Sequence, residues 1–149
     1  MKFKSLTTNQ DVDTINYIKQ YCNKYKDVKI YIGTDSQTRR KITTYATVIV
    51  LHRRNFGCHI LYNKQKIPKV ESIWLKLWKE VEASTDLALW LRQNKIEVDC
   101  IDLDINQNKD KVSNKLLKTS IAYVRGYNFN CKFKPDTLPA IKAADNLSK

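Results

Sequence analysis

Three consecutive β-strand patterns in the first half of the chain constrain the fold more than any other feature of the sequence. The segment 28–34 alternates apolar and polar residues and ends at Asp35, and the β-branched run 43–52 predicts a second strand. Residues 58–62 predict a third strand, which follows a turn at 53–57. Because the connections are short, we expect the three strands to pair as an antiparallel meander.

Helix and strand patterns alternate after this meander. Residues 70–94 predict a long helix, because apolar side chains recur there at helical spacing. The next patterns predict a strand, a helix, a strand and a terminal helix, at 97–105, 111–125, 129–133 and 138–147. A further helix, capped by Thr8 or Asn9, is predicted at 11–24.

These elements define an α/β fold class. Strands that are joined through helices run parallel to each other, so the last two strands are expected to run parallel to the first. The sequence therefore predicts a five-stranded mixed sheet in the order β-β-β-α-β-α-β-α, flanked by helices, with an extra N-terminal helix. Gly126 is predicted to follow the third helix as its C′ glycine, and Asp136 or Thr137 to cap the last helix, with Pro139 in its first turn.

Length and composition predict one domain that covers residues 1–149, with residues 1–26 as an N-terminal helical extension. No stretch approaches the roughly 20 apolar residues that span a bilayer, and no apolar run follows the basic start as in a secretory signal. The four cysteines form no CxxC pair, and with two histidines they give no zinc spacing. We therefore expect a cytoplasmic protein.

The chain is strongly basic. It carries 27 Lys and Arg residues against 15 Asp and Glu residues, a formal net charge of +12. Such a field attracts polyanions, and nucleic acid is the commonest polyanionic partner. The alternative is a lysine-rich surface that serves only solubility.

Four acidic residues occupy positions from which they can converge on one end of the sheet. Asp35 follows the first strand, Asp104 ends the fourth, Glu80 borders the apolar face of the long helix, and Asp145 follows two alanines on the last helix. Carboxylate oxygens are the ligands that Mg²⁺ prefers, and two such ions cleave phosphodiesters by activating water and stabilising the leaving oxygen. Each acid alone is also explained as a turn residue or a solvated surface acid.

Two alternatives stay open for this acidic set. Glu82 lies on the same helix as Glu80, but at 100° per residue it is about 140° from Leu77 and leans towards Trp78 and Leu89, so Glu80 faces the sheet more easily. Asp102 shares a face with Asp104, and its ordinary explanation is an edge strand with the carboxylate in water.

Four short segments resemble the RNase H superfamily, and more closely the bacterial and phage family of predicted RNase H-like nucleases of the YkuK type. They are 32–37 (IGTDSQ), 103–106 (LDIN), 134–136 (KPD) and 143–145 (AAD). The predicted order of strands and helices is also that of the RNase H-like fold. The resemblance implies a nuclease in which Asp35 bridges two Mg²⁺ or Mn²⁺ ions, with Glu80, Asp104 and Asp145 as the other ligands.

Two basic groups are candidates for binding phosphates beside this site: Arg39, Arg40 and Lys41, and then Lys64 and Lys66. The predicted function is a metal-dependent nuclease that acts on RNA, RNA–DNA hybrid or structured DNA. One alternative is a catalytically silent nucleic-acid-binding module on the same fold. Another is a protein–protein adaptor that uses the tryptophan-bearing long helix.

Overall fold

A seven-stranded mixed sheet organises the protein, seen here in a computed structural model that describes residues 1–105, 111–134, 136 and 138–149. Across the sheet the strands lie in the order β2-β1-β5-β4-β3-β6-β7. In chain order the elements are β1 (Phe3–Ser5), β2 (Asp11–Val12), α1 (Thr14–Lys24), β3 (Val28–Arg39), β4 (Ile42–Arg53), β5 (Gly57–Pro68), α2 (Ile73–Gln93), β6 (Cys100–Leu103), α3 (Lys111–Gly126), β7 (Cys131–Phe133) and α4 (Pro139–Ser148).

The predicted antiparallel meander is confirmed as β3, β4 and β5, but each strand has 12 residues and is longer than predicted. The pairing of β3 with β4 continues to Arg39 opposite Ile42, where Arg40 (φ 55°) and Lys41 make the turn. Asp35 pairs with Ala46 inside this ladder, so the prediction that it ends the strand is wrong. The polar residues beyond it were mistaken for a loop, although they continue the alternation of a strand.

The mixed character of the sheet is confirmed by β6 and β7, which run parallel to β3 and to each other. The predicted number of five strands is wrong, because β1 and β2 add two more at the β5 edge. These strands have three and two residues, too few for a periodic pattern to show. The N-terminal helix is present, but it begins at Thr14 with Asp13 as its N-cap, not at residue 11 with Thr8 or Asn9.

Helices cover both faces of the sheet. Side chains of α1, α2 and α3 share one large apolar core with β3, β4 and β6, in which Ile32, Ile49, Leu91 and Ile101 are fully buried. On the other face α4 packs through Ala140 and Ala144 in a second, smaller cluster. The three tryptophans of α2 pack against the large core, at positions 74, 78 and 90.

Two predicted helix-end signals are wrong. Gly126 is the last residue of α3, and the left-handed conformation after the helix belongs to Asn128 (φ 63°). Leu138 occupies the N-cap of α4 without a side-chain cap, and Asp136 instead makes a turn through its N–H to the carbonyl of Phe133. The alternative cap, Thr137, lies outside the described residues, as do positions 106 and 135 of the segments that carried the resemblance.

All four cysteines are free thiols, and Cys100 is buried. Within the described ranges, none of the helices combines the length and the apolar character that crossing a bilayer requires.

Candidate metal and nucleic-acid site

The parallel pairing of β3 with β6 brings Asp35 and Asp104 side by side. The register places Gly33 of β3 beside Asp102 of β6. Asp35 and Asp104 each lie two residues further along, so both are on the same face of the sheet as this pair. Neighbouring strands lie about 4.8 Å apart, so the two carboxylates are close neighbours. Burial raises the pKa of Asp35, and the charge of Asp104 raises this pKa further.

Glu80 approaches the same region from the opposite face of the sheet, on α2. Its Oε1 accepts a hydrogen bond of 2.5 Å from the Ser36 hydroxyl, and the side chain is 6% exposed. Burial raises the pKa of Glu80 to about 8, and the charges of Asp35 and Asp104 contribute to the increase. Glu82 lines a different groove, beside Asp86, so Glu80 is the α2 acid that is coupled to the aspartates.

Asp145 reaches the site from α4. Its Oδ1 accepts a hydrogen bond of 3.2 Å from the Gln37 side chain, and its Oδ2 lies 3.4 Å from the Lys149 ammonium. The next turn of the helix carries Ser148, whose hydroxyl donates to Asp35 Oδ2 at 2.9 Å. The end of α4 is therefore bonded directly to two side chains of β3.

Asp102 fixes the start of α4. It is 1% exposed, and its Oδ2 accepts the Ala140 N–H at 2.8 Å, which supplies the cap that Leu138 lacks. Burial raises the pKa of Asp102 to about 6. The alternative of an edge strand with Asp102 in water is wrong, because β6 lies between β3 and β7 and the carboxylate is buried under the helix.

Lys134 places a positive charge among these carboxylates. Its Nζ lies 2.6 Å from Asp104 Oδ1. This hydrogen bond raises the pKa of Lys134, and the charges of Asp104, Asp35 and Asp145 raise it further. The side chain belongs to the KPD segment, but sequence reasoning gave Lys134 no role.

The four predicted acids thus occupy one end of the sheet, and their oxygen donors have the chemistry that Mg²⁺ or Mn²⁺ requires. Among the described residues, however, no three acidic, histidine or cysteine side chains lie close enough to enclose an ion. The carboxylates are held instead by protein partners, namely Ser148, Ser36, Gln37 and Lys134. The oxygen atoms of these acids are suitable ligands for a divalent ion. Because the acids are not close enough to enclose one, their contacts with the protein partners would have to rearrange for an ion to bind.

Three of the five predicted phosphate-binding residues line one groove beside the acids. Arg39, Lys64 and Lys66 are exposed there, and Gln37, Ser148 and Lys149 complete the walls on the side of the acids. We call this surface the basic groove. Arg40 and Lys41 are exposed in the β3–β4 turn and do not line it. No sequence signal pointed to Ser148 or Lys149.

The sheet order and the position of the acids define an α/β protein of the ribonuclease H-like class. The family model described as Ribonuclease H-like matches residues 13–149, and the chain therefore belongs to the Ribonuclease H-like family. Membership in this family suggests a nuclease that cleaves nucleic acid. The finer assignment to the YkuK type stays a prediction.

Two solved structures are similar to the chain. One is RNase H1 from the halophilic archaeon Halobacterium salinarum NRC-1, with 14% identity over 72% of this chain and 86% of that one, and a TM-score of 0.42. The other is the N-terminal RNase H domain of Rv2228c from Mycobacterium tuberculosis, with 18% identity over 82% and 99%, and a TM-score of 0.42. No curated protein matched the chain's sequence.

Proposed function

We propose that the protein is a divalent-metal-dependent nuclease that hydrolyses phosphodiester bonds in RNA, RNA–DNA hybrid or structured DNA. The observation that carries this proposal is the pair of aspartates on adjacent parallel strands, Asp35 and Asp104, with Glu80 coupled to both from the other face. Buried like charges at this density destabilise a fold unless a cation or protons compensate them. A site of this kind is what a metal-dependent reaction on phosphate needs.

Asp35 and Asp104 would hold the metal between them, with Glu80 and Asp145 completing the oxygen ligands. A bound divalent ion supplies an activated water and stabilises the charge on the phosphate and on the leaving oxygen. Lys134 and Ser148 contact these two aspartates, so an ion held there would share the Asp104 carboxylate with an ammonium and the Asp35 carboxylate with a hydroxyl.

The protein's own side chains supply positioning and binding. Ser148 and Gln37 orient the carboxylates of Asp35 and Asp145 through hydrogen bonds of 2.9 and 3.2 Å. The basic groove offers Arg39, Lys64 and Lys66 to phosphates next to these acids. Such contacts fix the register of a backbone on the protein but carry no sequence information, so we expect binding that depends on salt more than on sequence.

One observation favours a second function, a nucleic-acid-binding module that does not cleave. Lys134 already neutralises Asp104, and in the described part of the chain no acidic cluster encloses an ion. The Lys134 ammonium, which is 48% exposed, would lower the cost of the negative charge on Asp104 without a metal. The two functions share the basic groove and differ in whether a divalent ion promotes cleavage.

Substitution of Asp35 by Asn tests the proposal. We expect Mg²⁺- or Mn²⁺-dependent cleavage to fall by at least roughly a hundredfold, because the variant loses the charge of the central ligand. The measurement is cleavage of labelled RNA–DNA hybrid, duplex RNA and branched DNA, with thermal unfolding to verify folding. Asp86→Asn, which removes the same charge from an exposed position of α2, is the matched control. Undiminished cleavage by Asp35→Asn would contradict the proposal, and absence of cleavage by the wild type on every substrate would favour the binding module.

A further inference from the structure

The N-terminal hairpin of β1 and β2 belongs to the chain but not to the part that matches the family. The family model begins at residue 13, whereas the hairpin lies at 3–12 and adds its two strands beyond β5. Its position therefore has no explanation in the shared fold. What it adds to the molecule has to be read from its own contacts and charges.

The hairpin is fixed firmly to the sheet. Phe3 is 1% exposed and belongs to the large core, and Lys4 pairs with Tyr62 of β5. The Asn63 side chain donates to the carbonyl of Lys2 at 2.7 Å, and the Tyr62 hydroxyl donates to the side chain of Asn9. Residues 2–5 thus present their side chains in a defined orientation.

Alternation along β1 places its lysines on the side of the sheet that carries the basic groove. Phe3 and Ser5 are buried, so Lys2 and Lys4 are exposed on the opposite side. There they line a second groove together with Asn9, Tyr62 and Lys64. Lys64 also lines the basic groove, so the two grooves lie next to each other on β5 and share this lysine.

We propose that this hairpin extends the nucleic-acid-binding surface, with Lys2 and Lys4 contacting backbone phosphates that lie beyond those held by Lys64 and Lys66. The inference rests on the proposed function, which places the substrate at the acids. From there the substrate would run across β4 and β5 to β1. Three strand spacings separate β3 from β1, about 14 Å, which corresponds to roughly four nucleotides along a strand.

The charges of this surface suit a phosphate backbone. Lys2, Lys4, Lys64 and Lys66 are exposed, and none of them lies within 4.0 Å of a carboxylate oxygen among the described residues. The second groove is also lined by exposed Asp11, whose backbone is the ladder partner of Lys4 in the hairpin. Asp11 lowers the local positive potential, so its removal must act in the direction opposite to removal of a lysine.

The test is a salt titration of binding with a fluorescein-labelled RNA–DNA hybrid of about 20 base pairs, in EDTA so that turnover does not enter. Each phosphate contact contributes about 0.7–0.9 to the slope of log affinity against log salt. The double variant Lys2→Gln/Lys4→Gln is expected to reduce that slope by roughly 1.5 and to weaken binding at low salt. Asp11→Asn is expected to strengthen binding at low salt.

Lys19→Gln/Lys24→Gln on α1 is the matched control, because it removes the same net charge from exposed positions on the other side of the sheet. We expect its slope to equal that of the wild type. A wild-type slope in the hairpin double variant, or the same reduction of the slope in both double variants, would overturn the role of the hairpin. Neither result would contradict the proposed cleavage. A reduced slope in the hairpin variant alone, with no cleavage by the wild type on any substrate, would support the hairpin surface and contradict the nuclease.

Discussion

At the residue scale, the contact between Lys134 and Asp104 determines how a metal ion enters the site. The ammonium is 2.6 Å from the carboxylate oxygen, and it is also under the influence of Asp35 and Asp145. A divalent ion held by Asp104 would compete with this ammonium for the same carboxylate. Lys134 therefore stabilises the metal-free acids and weakens the first step of metal binding.

Replacement of Lys134 by Met should make the protein bind Mg²⁺ at lower concentration. The side chain of Lys134 is 48% exposed, so solvent screens the pair and we expect a modest decrease, about three- to tenfold, in the concentration that gives half of the thermal stabilisation. The measurement is the unfolding temperature as a function of Mg²⁺ concentration. Lys142→Met, which removes an exposed charge of α4, serves as the control. An unchanged or increased requirement for Mg²⁺ in Lys134→Met would refute the competition.

The sequence predicted the placement of the four acids but not their partners. Strand and helix patterns placed Asp35, Asp104 and Asp145 at one end of the sheet, and the helical row that contains Leu77 and Ser84 favoured Glu80. Their role as metal ligands stays a prediction. The partner of Asp35 is Ser148, which lies 113 residues further along the chain. Contacts of that separation depend on how the elements dock, which local spacing does not encode.

At the element scale, the function of α4 depends on how closely it approaches the sheet. A Cβ built on Gly33 would lie 2.9 Å from the Cβ of Ala140 and 3.0 Å from its backbone carbon. Only a glycine on β3 permits this packing, and it brings Asp145 and Ser148 within reach of Gln37 and Asp35. Gly33 therefore permits the close packing of the helix that carries Asp145 and Ser148.

Gly33→Ala should destabilise the fold and move the acid of α4 away from the others. Overpacking against backbone atoms costs about 1–3 kcal/mol, and we expect cleavage to fall as well, because Asp145 shifts with the helix. Unfolding by urea and the cleavage rate measure the two effects. Gly126→Ala is the control, since nothing lies within 4 Å of its added Cβ and its helical position favours Ala over Gly. Equal stability of Gly33→Ala and the wild type would show that α4 is not held by this contact.

The elements themselves divide into those that periodicity reveals and those that it does not. The meander, α2 and the crossovers were predictable because their apolar spacing repeats over many residues. The hairpin of β1 and β2 was missed because its strands have only three and two residues. They are defined by the pairing of β1 with β5 and of β2 with β1, not by a local pattern. The cap of α4 was misassigned for the same reason, since Asp102 provides it from a different element.

At the scale of the whole molecule, this strongly basic protein buries three carboxyl groups among its described residues. The net charge is +12, yet Asp35, Glu80 and Asp102 are all buried and all have a raised pKa, caused mainly by burial. The metal-free folded chain therefore holds protons on these groups at pH values where the unfolded chain has released them. Linkage then requires the stability of the fold to depend on pH.

The metal-free protein should lose stability as the pH rises from about 5 to about 8. A carboxyl group whose pKa is higher in the folded than in the unfolded chain stabilises the fold fully at pH values below the unfolded-state pKa. This stabilisation is lost as the pH rises through the folded-state pKa. For Glu80 the loss therefore occurs between pH 4.5 and about 8. The Glu80→Gln variant lacks this titrating group. Its free energy of unfolding should therefore exceed that of the wild type by on the order of 2 kcal/mol at high pH and approach the wild-type value at low pH. Thermal unfolding in EDTA across this range measures both. Glu82→Gln, on the same helix, should retain the wild-type dependence. A wild type that gains stability towards pH 8, or equal pH dependence in the two variants, would show that the buried carboxyl of Glu80 does not control the stability of the metal-free fold.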